Sequence, residues 1–201
     1  MEIEKTKIIA VEGKDEINFF SALFKHLSIT EIQLINFGGK DNFSNRIEQI
    51  VKLDNFENVT HFGLIRDADN NYKGAFESIS NSLKKVNLPI PNGKSYFSTK
   101  GIPKIGVFIM PGINKVGMLE SLCIETIKND KEFECIEDFI DCLPAKPIKM
   151  EKSIIQIYLA TKNPIVNSLG LGALKGHINF DNTKIKSLID FILEFDKKQQ
   201  T

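Results

Sequence analysis

The chain has 201 residues, 42% of them apolar, and its 26 Lys and Arg are matched by 26 Asp and Glu. That composition suits one α/β domain with a full hydrophobic core, with room for a small helical appendage. It lacks the charge excess of a strongly basic nucleic-acid binder, although a local basic groove does not depend on the total.

Along the chain, Lys7 to Val11 form a short apolar run that reads as a buried parallel strand and ends at Glu12-Gly13. Asp15 to Leu27 then carry Ile17, Phe20, Leu23, Phe24 and Leu27 at helical spacing. Ile32 to Phe37 read as a second strand closed by Gly38-Gly39, and Asp41 to Leu53 return to helical spacing. Thr60 to Ile65 form a third strand ending at Arg66-Asp67-Ala68-Asp69, followed by a helix over Tyr72 to Val86. Pro89 to Gly101 read as a loop or hairpin, Lys104 to Met110 as a fourth strand, and Leu119 to Ile127 as the next helix. This alternation predicts a mostly parallel sheet with helices on both faces.

After Asp130 the strand signal fades. Helices are expected over Glu134 to Cys142, Ser153 to Thr161 and Thr183 to Phe195, with a flexible turn region around Gly170, Gly172 and Gly176. The expected division is an α/β core over 1–130 and a helical extension over 131–201 packed on it, as one compact domain. The phenylalanines are read as core. The three cysteines, Cys123, Cys135 and Cys142, have no C-x-x-C spacing and suggest neither a disulfide framework nor a zinc site. Buried free thiols in a reducing cytosol are expected. The charged start is no signal peptide and no apolar run is long enough to span a bilayer, so a cytoplasmic protein without membrane attachment is expected.

In open α/β sheets, ligands bind beyond the carboxyl ends of the strands. Glu12 follows the first strand, Asp67 and Asp69 follow the third, and Glu120 lies in the first turn of the helix after the fourth. All four have a route to one edge of the sheet. Carboxylates gathered there repel one another unless a cation neutralises them, and Mg²⁺ is commonly held by one or two carboxylates with waters and a phosphate. An extended D-x-D pair would send both side chains the same way. Asp67, Asp69 and Asn71 also match the start of an EF-hand loop, but Tyr72 and Ser78 stand where its glycine and closing glutamate belong. Gly38-Gly39-Lys40 lacks P-loop spacing and reads as a tight turn more readily than as a phosphate nest. Lys146, Lys149 and Lys152 are candidates to line a phosphate groove, or simply a solvated face.

A glutamate after the first strand and D-x-D after a later one resemble the Toprim pattern, here Val11-Glu12-Gly13-Lys14-Asp15 and Asp67-Ala68-Asp69. Toprim domains occur in topoisomerases, bacterial primases, small ribonucleases and overcoming-lysogenization-defect nucleases. The resemblance extends to a group of small stand-alone bacterial Toprim-related proteins of unassigned function. It is carried there by Phe37-Gly38-Gly39-Lys40-Asp41-Asn42, Pro111…Gly117-Met118-Leu119-Glu120 and the tail from Lys152 onward.

The resemblance implies a Toprim-like α/β fold in which Asp67 and Asp69 bind Mg²⁺ or Mn²⁺ and Glu12 is a metal ligand or general base. Glu120, with Asp15 or Glu16, would complete a second metal site, and Lys40 and Lys152 are candidates for substrate phosphate. The expected activity is phosphodiester cleavage or phosphoryl transfer on nucleic acid, with metal-activated water in place of a marked nucleophile. The alternatives are a non-catalytic module that binds nucleic acid or a partner ATPase, and a receiver-like phosphoacceptor using Asp67. Against the last, the first strand ends in a single Glu12 before glycine and not in an adjacent acid pair.

Overall fold

The computed structural model describes residues 2–39, 43–92 and 96–197. Four strands, β1 (Lys7–Val11), β2 (Ile32–Asn36), β3 (His61–Asp67) and β4 (Lys104–Met110), form an all-parallel sheet in the order β2-β1-β3-β4. The helices α1 (Lys14–His26), α2 (Phe43–Ile50), α3 (Tyr72–Lys85) and α4 (Leu119–Ile127) alternate with the strands. Four more follow: α5 (Lys131–Asp141), α6 (Met150–Ala160), α7 (Leu169–Leu174) and α8 (Lys186–Asp196). The α/β, mostly parallel, Toprim-like architecture expected from the sequence is the one observed.

β1, β3 and β4 are buried along most of their length because both faces are covered, whereas the edge strand β2 carries Gln33 and Asn36 and is only partly buried. Alternate residues sort cleanly. Ile9, Val11, Ile65, Phe108 and Met110 pack with α1 and α4 to α8, while Ile8, Ala10, Phe62, Leu64, Ile105 and Val107 pack with α2 and α3. Phe19, Phe20, Phe37, Phe43, Phe62, Phe108, Phe191 and Phe195 are fully buried, so these phenylalanines are core as expected. Of the cysteines only Cys123 is buried; Cys135 and Cys142 are exposed, which corrects the expectation of three buried thiols.

Glycines shape the closest packing. A Cβ on Gly63 would lie 2.6 Å from Ile9 and 3.0 Å from the Phe195 ring, and one on Gly106 would lie 3.0 Å from both Phe195 and Phe97. Their missing side chains let α8 settle directly over β3 and β4. The segment around Gly170 and Gly172 is the short helix α7, not a flexible turn. A Cβ at Gly170 would stand 2.1 Å from the Asp15 carbonyl oxygen, and one at Gly172 2.5 Å from Leu159. These glycines serve close helix approach. The last helix is divided into a 3-10 turn at Thr183–Ile185 and α8. Of the loop expected between α3 and β4, residues 93–95 lie outside the described residues; Phe97 makes an isolated antiparallel bridge to Gly106. Among the described residues, no helix is long and apolar enough to cross a membrane.

Candidate functional site

The chain runs from β1 outward to β2, then returns to the other side of β1 for β3 and β4. The connections therefore part between β1 and β3, and the crevice beyond their carboxyl ends is where an open α/β sheet binds its ligand. Glu12 leaves β1 and Asp67 ends β3 at that point.

The two acids are joined directly. The Asp67 backbone N–H donates to Glu12 Oε1 at 3.3 Å, and the Leu119 N–H, at the start of α4, donates to Asp67 Oδ1 at 3.1 Å. Burial raises the Asp67 carboxyl to about 8, with the charges of Glu12, Glu120 and Glu16 adding to the rise and the Leu119 N–H opposing it. Burial also raises Glu12, together with Glu16 and Asp69; the Asp67 N–H and Arg66 act the other way.

Arg66 is the residue that sequence reasoning undervalued. Its place beside Asp67 in the sequence suggests a local ion pair, but strand alternation turns it to the opposite face. There its guanidinium lies over the Phe43 ring and Nη1 donates to Ser78 Oγ at 3.0 Å. Its Nε is 3.7 Å from Glu12 Oε1, too far for a hydrogen bond, and is buried without a hydrogen-bond partner. The cation acts on Glu12 by charge alone.

Glu120 reaches the cluster from the first turn of α4, with its side chain 15% exposed. Lys152 arrives from α6, its Nζ 3.6 Å from Glu120 Oε1, and is half exposed. Glu16 joins from the first turn of α1. Burial raises its carboxyl first of all, and the charges of Asp15 and Glu120 raise it further. A Cβ on Gly13 would lie 2.9 Å from Glu16 Oε2, so the bare Glu12-Gly13 turn leaves the space that Glu16 occupies.

Other candidates are placed differently. Asp69 does not extend the strand: it adopts a left-handed φ of 49°, and its carbonyl accepts from the Gly117 N–H at 2.7 Å. The extended-pair argument for D-x-D therefore fails, although the Asp69 charge still acts on Glu12. Asp15, offered as an alternative to Glu16, is engaged elsewhere: its Oδ1 accepts from Ser168 Oγ at 2.5 Å and from the Gly170 N–H at 2.9 Å. Lys146 is held by Asp141 and the Ile140 carbonyl, and Lys149 is exposed. Gly38 and Gly39 form a left-handed turn whose Gly39 N–H donates to the Glu12 carbonyl at 2.8 Å, while Lys40 lies outside the described residues.

Residues 6–195 match the model of the family described as "Protein of unknown function (DUF3226)". The chain belongs to that family. None of the curated proteins matches it. Among solved structures, the chain is similar to the C-terminal region of the Xanthomonas campestris pv. campestris OLD protein, at 14% identity and a TM-score of 0.51, covering 96% of each chain. It is likewise similar to the C-terminal region of the Burkholderia pseudomallei OLD protein, at 17% identity and a TM-score of 0.51, covering 96% of this chain and 98% of that one. At such identity the likeness speaks for fold.

The chemistry of the donor set bears on whether a divalent cation fits. Among the described residues, no three His, Cys, Asp or Glu side chains form a ready-made metal cage. A cage is not what Mg²⁺ requires, since it keeps several waters and is bound through one or two carboxylates. Glu12 and Asp67 are linked, partly buried oxygen donors, and neighbouring acids leave them short of positive charge. The residues fit a hard cation.

Proposed function

We propose that this DUF3226 chain is a divalent-cation-dependent phosphodiesterase acting on nucleic acid from the crevice between β1 and β3. One observation carries the reading: acids from four segments, Glu12, Glu16, Asp67 and Glu120, share that crevice, where burial first and then the charges of the other three raise Asp67 to about 8. A structural turn has no use for such mutual repulsion, and a cation relieves it. The resemblance to overcoming-lysogenization-defect nucleases points to the same chemistry.

In this reading Glu12 and Asp67 hold Mg²⁺ or Mn²⁺, with Asp69 on the adjoining loop and Glu16 and Glu120 available to a second ion. The bound ion supplies charge neutralisation at the phosphate and an acidified water. Where Glu12 does not ligate the ion, it would take the proton of the attacking water and return it to the departing oxygen, and the Arg66 charge opposes the rise of its carboxyl. The Leu119 N–H fixes the Asp67 carboxylate at the start of α4. Lys152, half exposed beside Glu120, turns from that acid to a substrate phosphate.

The left-handed turn at Asp69, which breaks the extended D-x-D pair, favours a second reading, a module that binds nucleic acid or a partner ATPase without turnover. A cleavage screen of DNA and RNA in Mg²⁺ and Mn²⁺ decides between them. The nuclease reading expects cleavage that Glu12→Gln abolishes while much of the substrate binding survives. Neither cleavage nor metal-dependent binding across a broad panel would leave the partner module.

A further inference from the structure

A second concavity opens beside the crevice, on the far side of the first turn of α4. It has a volume of about 480 Å³ and is bounded by Lys115 and Val116 of the β4–α4 loop, by Ser121, Leu122 and Glu125 of α4, and by Lys184 of the 3-10 turn. Successive helix residues point about 100° apart. Glu120 therefore faces the acidic crevice while Ser121 faces the groove, and the two depressions meet along one ridge. The floor is fixed in place. The Gly117 N–H bonds the Asp69 carbonyl at 2.7 Å, tying the loop to the D-x-D segment, and Ser121 Oγ accepts the Met118 N–H at 3.1 Å.

The groove's charge balance is positive. Glu125 is its one acid, and Lys128 already neutralises it. Lys115 and Lys184 form no ion pair with any described residue. In a chain whose net charge is zero, two cations with no ion pair among the described residues thus lie beside the acidic crevice. Val116, 61% exposed between them, adds apolar surface at the rim. From Glu120 to Glu125 the helix advances ~7.5 Å, about two phosphates of a duplex strand.

We infer that this groove is the track for the phosphodiester backbone flanking the cleaved bond, with Lys115 and Lys184 as the phosphate contacts. The inference rests on the nuclease reading and names its substrate path. It resolves how a neutral protein would hold a polyanion: cations concentrated on one side of the site, and carboxylates reserved for the metal.

The test is equilibrium binding of fluorescent oligonucleotides, single-stranded and duplex, to the full chain in Mg²⁺ across ~50 to 200 mM salt. The Lys115→Ala/Lys184→Ala double variant is compared with wild type and with Lys84→Ala/Lys131→Ala, two exposed lysines on α3 and α5. Each lost phosphate contact lowers the salt slope by ~0.9 on duplex and ~0.7 on single strands. The groove variant is expected to lose nearly two contacts' worth of slope, so that its deficit in affinity shrinks about tenfold from ~50 to ~200 mM salt. The control pair should match wild type, and both variants should keep the wild-type melting temperature with and without Mg²⁺. Whichever form of nucleic acid shows the larger loss is the one the groove fits. An unchanged slope in a variant that still cleaves would overturn the groove and leave the nuclease reading standing. A loss confined to a variant with altered melting would also overturn it. A wild-type chain that binds no nucleic acid would overturn both.

Discussion

Replacing Asp67 by Asn should stabilise the protein in the absence of divalent ions. The Asp67 carboxyl is raised from its ordinary 3.8 to about 8, so the native state holds a proton that the unfolded state has released. With the folded value above the unfolded one, stability falls as pH rises from about 4 to about 8, by ~1.4 kcal/mol per pH step. Near pH 8 the native state is therefore penalised by on the order of several kcal/mol. Asn is nearly isosteric and its Oδ1 can still accept the Leu119 N–H, so little is lost in exchange. For a chain of this size each kcal/mol moves Tm by ~2–4 °C, so Asp67→Asn should melt roughly 10–20 °C higher at pH 8 in EDTA. Below about pH 4 the two proteins should converge. Thermal and urea unfolding from pH 4 to 9 measure this. A variant no more stable than wild type at pH 8, with the wild-type dependence on pH, would refute the claim that the crevice is short of positive charge.

Three further outcomes follow from the geometry. His61 is buried against Phe195 with Lys7 and Lys104 nearby, and burial first, then these cations, lowers it from 6.5 to about 4. The unfolded chain then binds the extra proton, so stability should fall by on the order of 3 kcal/mol as pH drops from 6.5 to 4; an imidazole NMR titration near 6.5 would contradict this. Gly170→Ala should cost several kcal/mol or prevent folding, because its Cβ meets the Asp15 carbonyl oxygen at 2.1 Å and backbone cannot swing aside; denaturant unfolding would show it, and a cost below ~0.5 kcal/mol would mean that α1 and α7 are not so close. Lys152→Ala should raise KM for nucleic acid while the metal-induced rise in Tm persists, since it removes the proposed phosphate contact and a partner of Glu120 but no proposed metal ligand; loss of the metal response would assign Lys152 to the metal site's architecture.

Much of this arrangement was legible in the sequence because it is local. Continuous apolar runs such as Ile8 to Val11 mark strands buried on both faces, and the edge rule then carries Glu12 and Asp67 to one crevice without further information. What escaped depends on contacts between distant segments. The glycines at 170 and 172 look like chain breakers until Asp15 and Leu159 are seen against them. One signal was present: Ser168 caps α7 through the Leu171 N–H. Asp15 and Glu16 are adjacent acids with equal claims in the sequence; Ser168 and Gly170 take the first, and only the second is left to the crevice. Arg66 beside Asp67 suggested a pair, whereas strand alternation sends it to Glu12. The D-x-D motif located the loop correctly but not its shape, because the left-handed turn at Asp69 ends the extended geometry on which the argument relied.

The central claim is that Glu12 and Asp67 together hold a divalent cation. The most direct measurement is the melting temperature across an Mn²⁺ titration for wild type, Glu12→Gln and Asp67→Asn. A cation that binds only the folded state adds ~2.7 kcal/mol at a hundred times its Kd. The account predicts a saturable rise in wild type that is greatly weakened in both variants, even though Asp67→Asn starts from a higher Tm. An equal rise in all three proteins would place the ion elsewhere and contradict the account.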